Sequence, residues 1–225
     1  MKNSLKLLAA ALAVVVLSGC ATKAPAPYDY TEYKLSDPKS ILVLPPINKT
    51  PEVRAPYSML AQVTFPLAES GYYVLPVSLV DETLKENGVT QAQDAHELPT
   101  AKLREIFGAD AALYITMTKY GTVYQVLDSN TTVTAEARLV DLKTDKVLWT
   151  GNASASTAEQ QNQNQDGLAG MLITAIVKQL VGSVTDQRHP MAGMASQRLL
   201  SAGRLHGLLH GPRSPRYNKD ADKPR

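Results

Sequence analysis

The spacing of apolar residues changes along the chain, and each change predicts a helix or a strand. A continuous apolar run at residues 40–44, closed by two prolines, is typical of a strand that is buried on both faces. A second strand is predicted at residues 72–77, and residues 89–98 have the composition of a loop. Helical spacing followed by a stop glycine recurs in three segments, residues 55–70, 78–87 and 99–107. Pro66 is expected either to kink the first of these helices or to mark the start of a second short turn, and Ser78 to cap the second helix.

The second half of the chain has the alternation of strands rather than the spacing of helices. Residues 111–124 are rich in β-forming side chains, and Gly121 is expected to introduce a bulge. Apolar and polar side chains alternate between residues 130 and 141, with Glu136 and Arg138 among those on the polar side, which marks a half-buried strand. A turn follows at 141–146, and a returning strand begins at Val147. Strands alternate with helices early in the chain, and three strands follow one another as a meander later. This order predicts an α/β domain with a single mixed sheet and helices packed on it.

One further segment, residues 168–184, is apolar on nearly every side of its predicted helix and follows a polar connection at 159–167. A helix of this kind must be buried in its own domain or in a partner. It contains Lys178 and is shorter than the roughly 20 residues of a membrane span. Three alternatives stay open: the domain's own core, a dimer or oligomer interface, and membrane contact. The candidate interface residues are Leu172, Ile173, Ile176 and Leu180.

The N-terminus has the three-part layout of a secretion signal. Lys2 and Lys6 precede an apolar run at residues 7–17, and Leu17-Ser18-Gly19-Cys20 then matches the bacterial lipobox. Small residues before the cysteine let a peptidase reach the backbone, and the thiol is the atom that receives diacylglycerol. We therefore expect cleavage after residue 19 and lipidation of Cys20, since a triacylated cysteine anchors a protein firmly to a membrane.

The residue after the lipidated cysteine and the charge distribution refine the location. Ala21 stands where Asp would favour retention at the inner membrane, which predicts the outer membrane, facing the periplasm, in a Gram-negative host. The formal charge of +2 includes the two signal lysines, so the mature side chains balance. Basic residues are concentrated in residues 188–225. A basic tail could contact lipid headgroups or nucleic acid, but export argues against nucleic acid and a solvated tail is the commoner explanation.

These segments divide the chain into four parts. We predict a signal peptide at 1–19, a lipidated and proline-rich tether at 20–39, one α/β domain at 40–205, and a basic, disordered tail at 206–225. Because the lipid occupies the only cysteine, no intramolecular disulfide is expected within the domain.

No motif in the sequence predicts an enzyme. Phosphate-binding glycine loops and serine-nucleophile motifs are absent from the printed sequence, and the only thiol is used for lipid. His206 and His210 are four residues apart, but nearby glycines and a proline argue against the helix that would bring them to one metal. His96 lies in a polar stretch without a nucleophile nearby. We therefore expect no catalytic residues, no metal and no cofactor.

Several long blocks of the chain together resemble a known family of bacterial lipoproteins. The blocks are ILVLPPIN at 41–48, TPEV at 50–53, APYS at 55–58, GYYVLPV at 71–77 and GLLHGPR at 207–213. They resemble the family typified by a neisserial genome-derived antigen, whose domain is of unknown function. The resemblance covers almost the whole mature chain and implies a fold like the N-terminal domain of TolB, a homodimer and an outer-membrane address.

A shorter block, residues 137–142 with 147–149, is similar to a hairpin of the curli-secretion lipoprotein CsgG. The long membrane-spanning hairpins that a pore would need are not evident in the sequence. We therefore predict an accessory or assembly factor of a CsgG-like envelope or secretion system, with an envelope protein as its partner. The first alternative is a ligand-binding or transport accessory protein with a pocket lined by the loop at 45–56. A cell-wall hydrolase is the third hypothesis.

Overall fold

A mixed β-sheet forms the centre of the protein. The computed structural model describes residues 27–124, 129–162 and 186–220. Its strands are β1 Ser40–Val43, β2 Ile47–Asn48, β3 Tyr73–Val74, β4 Ala111–Tyr124, β5 Ser129–Asp141 and β6 Val147–Ser156. Its helices are α1 Thr31–Ser36, α2 Ala55–Glu69, α3 Val77–Glu86, α4 Ala92–Glu97, α5 Thr100–Phe107, α6 Thr157–Asn162 and α7 Arg188–Leu200. The predicted α/β class with a single mixed sheet is confirmed.

The strand order is β3-β1-β4-β5-β6, and β2 pairs with β4 beyond the end of β1. β1 runs parallel to β3 and β4, whereas β5 and β6 continue the sheet in antiparallel pairs. Val43 pairs with Leu113 and Ile47 with Thr116, so the β1–β2 side contains one extra residue beside β4. That residue lies in the segment holding Pro45 and Pro46, which have no N–H to donate to a ladder.

Each face of the sheet has its own hydrophobic cluster. Helices α2 and α7 cover one face, where residues such as Met59, Met191 and Trp149 are buried with the odd-numbered residues of β1. Helices α3, α4 and α5 cover the other face, where Leu84 and Leu103 are buried with Leu42 of β1 and Leu44 just after it. Both faces of β1 are therefore covered, as its continuous apolar run predicts.

The second cluster ends part-way across the sheet. Its strand residues reach Tyr114 in β4 and Val140 in β5, and it includes no residue of β6. In β5 the alternation predicted from the sequence is confirmed, because Val133, Ala135 and Leu139 are buried while Glu136 is exposed. One half of this face therefore carries polar side chains.

Several local predictions are wrong. Helix α3 begins at Val77 with Pro76 before it, so Ser78 lies inside the helix and makes no capping hydrogen bond. The register shift in β4 falls between Met117 and Lys119 rather than at Gly121, which pairs with β5 in register. Residues 89–98, predicted as a loop, contain the short helix α4, and helix α7 was not predicted.

The boundary between tether and domain lies earlier than the sequence predicts. Residues 28–39, assigned to the tether at 20–39, belong to the folded unit, which spans Tyr28–Ala221. Tyr33 of α1 is buried in the first hydrophobic cluster, and Tyr28 and Tyr30 pack against that cluster. The apolar area of these three tyrosine rings holds residues 28–39 on the domain, although the prolines of residues 20–39 predict an extended tether.

The prediction of a disordered tail at 206–225 is wrong for residues 206–220, which pack on the domain as irregular structure. Leu208 is only 1% exposed. Three side chains from distant parts of the chain donate hydrogen bonds to backbone carbonyl oxygens next to Leu208. Trp149 Nε1 donates to His206 at 2.9 Å, Tyr30 Oη to Gly207 at 2.5 Å, and Tyr72 Oη to Leu209 at 2.6 Å. We call residues 203–220 the C-terminal strap.

Asp141, at the end of β5, joins α1 to the following turn. Its Oδ1 accepts hydrogen bonds from the backbone N–H groups of Lys143 and Thr144 at 2.8 and 2.7 Å, and Ser36 Oγ donates to Oδ2. Burial acts to raise the pKa of Asp141, but these hydrogen bonds together outweigh it and hold the pKa below its ordinary value. The carboxylate form is therefore the one that the fold stabilises.

Stability should fall in acid because of Asp141. A carboxyl with a lowered pKa in the folded state stabilises the fold above its unfolded pKa of about 3.9, and the effect disappears as the pH falls through the folded pKa. We expect Asp141→Asn to cost roughly 1–2 kcal/mol at pH 7 and to flatten the acid dependence below about pH 4. Urea unfolding of both proteins between pH 7 and pH 2 measures this. The exposed Asp94→Asn is the matched control, and an equal loss in both variants would contradict the assignment.

Candidate binding face of the sheet

The uncovered half of the second sheet face carries two rows of polar side chains that run across β4, β5 and β6. In the first row Tyr114 pairs with Arg138, and Arg138 with Thr150. In the second row Thr116 pairs with Glu136, and Glu136 with Asn152. Neighbouring residues in such rows have Cβ atoms about 4.5–5.5 Å apart. We call these six residues, with His96 beside them, the binding face.

The binding face forms a shallow, open depression of about 500 Å³. Its lining residues are His96, Tyr114, Thr116, Glu136, Ala137, Arg138, Thr150, Gly151 and Asn152. The sequence-based hypothesis placed a pocket beside the loop at 45–56, and this depression lies elsewhere. That loop reaches the binding face only through the carbonyl of Pro45, which accepts a hydrogen bond from His96 Nε2 at 2.9 Å. Most of the residues that line the depression have polar side chains, because they come from the half of this sheet face that the helices leave uncovered.

A stack of three side chains gives the face its fixed geometry. Tyr114 is buried, and the His96 ring meets it edge-on with 5.1 Å between ring centroids. The Arg138 guanidinium carbon lies 4.0 Å from the centre of the Tyr114 ring, within the range of a cation–π contact. Burial raises the pKa of Tyr114, against the opposing effect of Arg138, so the phenol is neutral at physiological pH. The aromatic ring therefore serves as a platform that orients Arg138.

His96 is neutral at physiological pH for two separate reasons. Burial lowers its pKa first, and the nearby positive charge of Arg138 lowers it further, while the bond to Pro45 acts in the opposite direction. A carbonyl can only accept, so the proton of the neutral ring is on Nε2. This hydrogen bond attaches α4 to the start of the loop after β1. The sequence places His96 in a polar stretch without assigning it a partner.

Arg138 and Glu136 are both exposed, and within the described residues neither makes a hydrogen bond or an ion pair with another side chain. The guanidinium lies on Tyr114 of the neighbouring strand instead of on Glu136. A guanidinium in contact with an aromatic ring can still donate hydrogen bonds through its N–H groups. Arg138 is thus an oriented cation with unused donors, and Glu136 an unused anion about 6.6 Å further along the strand.

The other histidines are engaged in the structure of the domain. Nδ1 and the backbone N–H of His210 both bond to Asp220, whereas the ring of His206 lies against that of Tyr28. The backbone at His206 is left-handed, so the two residues are not on one helix. Among the described residues there is no group of three side chains able to hold a metal ion. His189 of α7 bonds to Ser58 and Gln62 and so joins α7 to α2.

The site residues proposed from the sequence lie outside the described residues. They are Cys20, Leu172, Ile173, Ile176 and Leu180. Within the part of the chain that the structure describes, none of the helices has the length and apolar content to cross a bilayer. Arg138 and Glu136 were recognised from the sequence only as outward-facing positions of a strand. Their partners across the sheet depend on register, which the spacing of residues within one strand does not give.

The half-covered mixed sheet, its two helical layers and the lipobox at the N-terminus define the chain as a lipoprotein with one α/β domain. The chain belongs to the GNA1162-like family of lipoproteins. The model for that family, described as "Putative lipoprotein GNA1162-like", matches residues 28–213. Membership confirms the resemblance drawn from the sequence blocks and implies a membrane-anchored location in the cell envelope.

A neisserial protein sequence and a neisserial crystal structure are both similar to this chain. The chain is 48% identical over 201 residues to "Putative lipoprotein NMB1124/NMB1162" of Neisseria meningitidis serogroup B, covering 89% of this chain and 93% of the relative. It matches the crystal structure of lipoprotein GNA1162 from Neisseria meningitidis with 51% identity and a TM-score of 0.51. That match covers 64% of this chain and 99% of the crystal chain. A PelC dodecamer from Paraburkholderia phytofirmans is a more distant match, with 13% identity and a TM-score of 0.44 over 79% of this chain and 91% of its own.

Proposed function

We propose that this lipoprotein is an accessory or assembly factor of a CsgG-like cell-envelope or secretion system, and that it binds proteins rather than catalysing a reaction. The lipid on Cys20 would hold the domain on the periplasmic side of the outer membrane. The domain would associate with a second copy of itself and present its remaining surface to an envelope partner. The absence of any predicted catalytic motif supports a binding role over the cell-wall hydrolase.

The observation that carries this proposal is an exposed apolar stripe along α2. Val53, Tyr57, Ala61 and Phe65 follow one another at intervals of four residues, which places them along one side of the helix and of the turn before it. Val53 is 77% exposed, and Tyr57 and Phe65 are each 61% exposed. Contiguous exposed apolar side chains mark surfaces that contact another protein or a membrane.

A second copy of the chain fits this stripe because its four side chains are uncharged, and the one cation recorded beside them among the described residues, Lys85 Nζ, lies 5.8 Å from the centre of the Tyr57 ring. Two α2 helices packed antiparallel would meet at Ala61, whose small side chain allows close approach, and each Phe65 would then lie near Tyr57 of the other copy. Such a contact is isologous and closes as a dimer. The stripe is short, so the contact should be weak in solution, and anchoring both copies in one membrane would raise their effective concentration.

We expect Phe65→Glu to weaken self-association by at least roughly tenfold, because it places a charge in the centre of the apolar contact. Sedimentation velocity of the mature polypeptide without its acyl chain, over a range of concentrations, measures this. Val123→Glu is the matched control, since Val123 is 64% exposed on a strand far along the chain from α2. A wild-type protein that stays monomeric at every concentration would refute self-association. Dissociation by Ile176→Asp but not by Phe65→Glu would move the interface to residues 168–184.

The binding face favours a second candidate function, a ligand-binding accessory protein. A depression of about 500 Å³ lies in the range of volumes that bind small ligands. Its oriented and unpaired charges indicate a polar ligand rather than the apolar one that a deep pocket would take.

A further inference from the structure

We propose that the binding face recognises an extended protein segment that carries a carboxylate and an ammonium group two residues apart. The carboxylate would bind Arg138 and the ammonium group Glu136. This inference rests on the second candidate function and does not depend on self-association through α2.

The free edges of Arg138 select the carboxylate. The Arg138 guanidinium carbon lies 4.0 Å from the centre of the Tyr114 ring, and among the described residues its N–H groups donate no hydrogen bond, so a carboxylate can accept two parallel hydrogen bonds from them. Tyr114 is buried and in edge-on contact with His96, so the platform does not have to be ordered when the ligand binds. A fixed arginine loses less conformational entropy on binding than a free one, which favours affinity.

Glu136 excludes a purely anionic ligand. Its carboxylate lies one strand repeat from Arg138 on the same face, so a phosphate or a polyanion bound at Arg138 would be repelled. A metal cation is disfavoured because only one carboxylate lines the depression, and Arg138 lies beside it. A ligand with both charges satisfies both side chains, and among the described residues neither has another ion-pair partner.

The spacing and shape indicate an extended segment. Residues i and i+2 of an extended chain project to the same side about 6.6 Å apart, which is the separation of Arg138 and Glu136 along β5. Thr116 on β4 and Asn152 on β6 flank Glu136 and offer hydrogen bonds to the backbone of a bound segment. The depression is open along the sheet, as an extended chain requires.

The experiment is an NMR titration of the mature polypeptide from Ala21 onward, isotope-labelled and without its acyl chain. Residues Tyr28–Ala221 form one compact unit containing both hydrophobic clusters, so this polypeptide retains the site. The probe is the blocked peptide acetyl-Glu-Gly-Lys-amide. The control peptides are acetyl-Gln-Gly-Lys-amide and acetyl-Glu-Gly-Gln-amide, which each lack one charge, and inorganic phosphate.

We expect the doubly charged peptide to shift the amide signals of β4, β5 and β6 around the binding face. Each neutralised peptide should bind roughly three- to tenfold more weakly. Arg138→Gln should abolish the preference for Glu over Gln in the peptide, and Glu136→Gln should abolish the preference for Lys over Gln. Arg138→Lys should retain part of the first preference, because it keeps the charge but loses the planar fork. Lys102→Gln, on the exposed surface of α5, should change neither preference.

Equal binding of the three peptides, tighter binding of phosphate, or no binding at millimolar concentrations would overturn the proposal. Unchanged preferences in Arg138→Gln and Glu136→Gln, with native amide spectra, would overturn it as well. The variant Phe65→Glu should bind the peptide as the wild type does. If the peptide titration fails while self-association is intact, this inference is refuted and the proposed function is not.

Discussion

Replacing Gly71 by alanine is expected to destabilise the domain by at least about 3 kcal/mol and to release the C-terminal strap. Gly71 has a φ of +99°, a conformation that side chains rarely adopt. A Cβ there would also lie 2.5 Å from the backbone nitrogen of Ser214 and 2.8 Å from the carbonyl oxygen of Gly211. Both atoms belong to the backbone of the strap. The collision therefore cannot be relieved by rotating a side chain, and the strap itself must move.

Two backbone hydrogen bonds hold the strap where it passes Gly71, and a displacement of the strap would break both. Gly211 N–H donates to Ser70 at 2.8 Å, and Arg213 N–H donates to the carbonyl of Gly71 at 3.0 Å. Gly211 lies on the strap side of the same contact. Gly211→Ala should have a similar effect, because its Cβ would lie 2.6 Å from the carbonyl oxygen of Gly71. Thermal and urea unfolding measure the loss of stability for both variants.

Gly88→Ala is the matched control for the strained backbone. Gly88 has a φ of +82°, and a Cβ there would meet no atom within 4 Å. Gly88→Ala should therefore lower stability only by the conformational strain, about 1 kcal/mol. The difference in stability between Gly71→Ala and Gly88→Ala then measures the collision with the strap. Equal destabilisation by Gly71→Ala and Gly88→Ala would mean that the strap contributes nothing to the stability of the domain.

The strap shows why the sequence predicted the sheet better than the ends of the domain. Periodicity reports regular elements, and the alternation at residues 130–141 correctly indicated which side chains of β5 are buried. The strap has no period, because individual hydrogen bonds to and from its backbone hold it and two adjacent leucines, Leu208 and Leu209, pack on the first hydrophobic cluster. Its basic and proline-containing composition resembles that of a disordered tail. Only the family resemblance of the GLLHGPR block at 207–213 indicated that this segment belongs to the domain.

The binding face was missed for a different reason. Arg138 and Glu136 are recognisable in the sequence as outward-facing positions, but a polar outward side chain is also what any solvated strand presents. What distinguishes them is Tyr114 beside Arg138, and that neighbour depends on the pairing of β4 with β5. The side of a strand is thus encoded locally, whereas its cross-strand neighbours are set by the fold.

Replacing Cys20 by alanine is expected to abolish lipidation completely and to leave the precursor at its full length. The thiolate is the nucleophile that accepts the lipid, and a methyl group has no lone pair with which to attack. Cleavage follows lipidation at a lipobox, so the processing step should fail together with the acylation step. Labelling of growing cells with a tagged fatty acid, combined with the mass of the purified protein, measures both steps.

Cys20→Ser separates the chemistry of the thiol from the size of the side chain. Serine is almost isosteric with cysteine, but its hydroxyl is not ionised at neutral pH, so we expect the same loss of label. Cys20 is the only cysteine and precedes Tyr28, where the folded unit begins. Because neither a disulfide nor a core residue is lost, the unfolding midpoint of the domain should stay unchanged in both variants. A variant that still incorporates fatty acid would mean that the lipid is attached elsewhere and that the anchor does not act through Cys20. A variant trimmed to the mature length without fatty acid would mean that cleavage does not depend on lipidation.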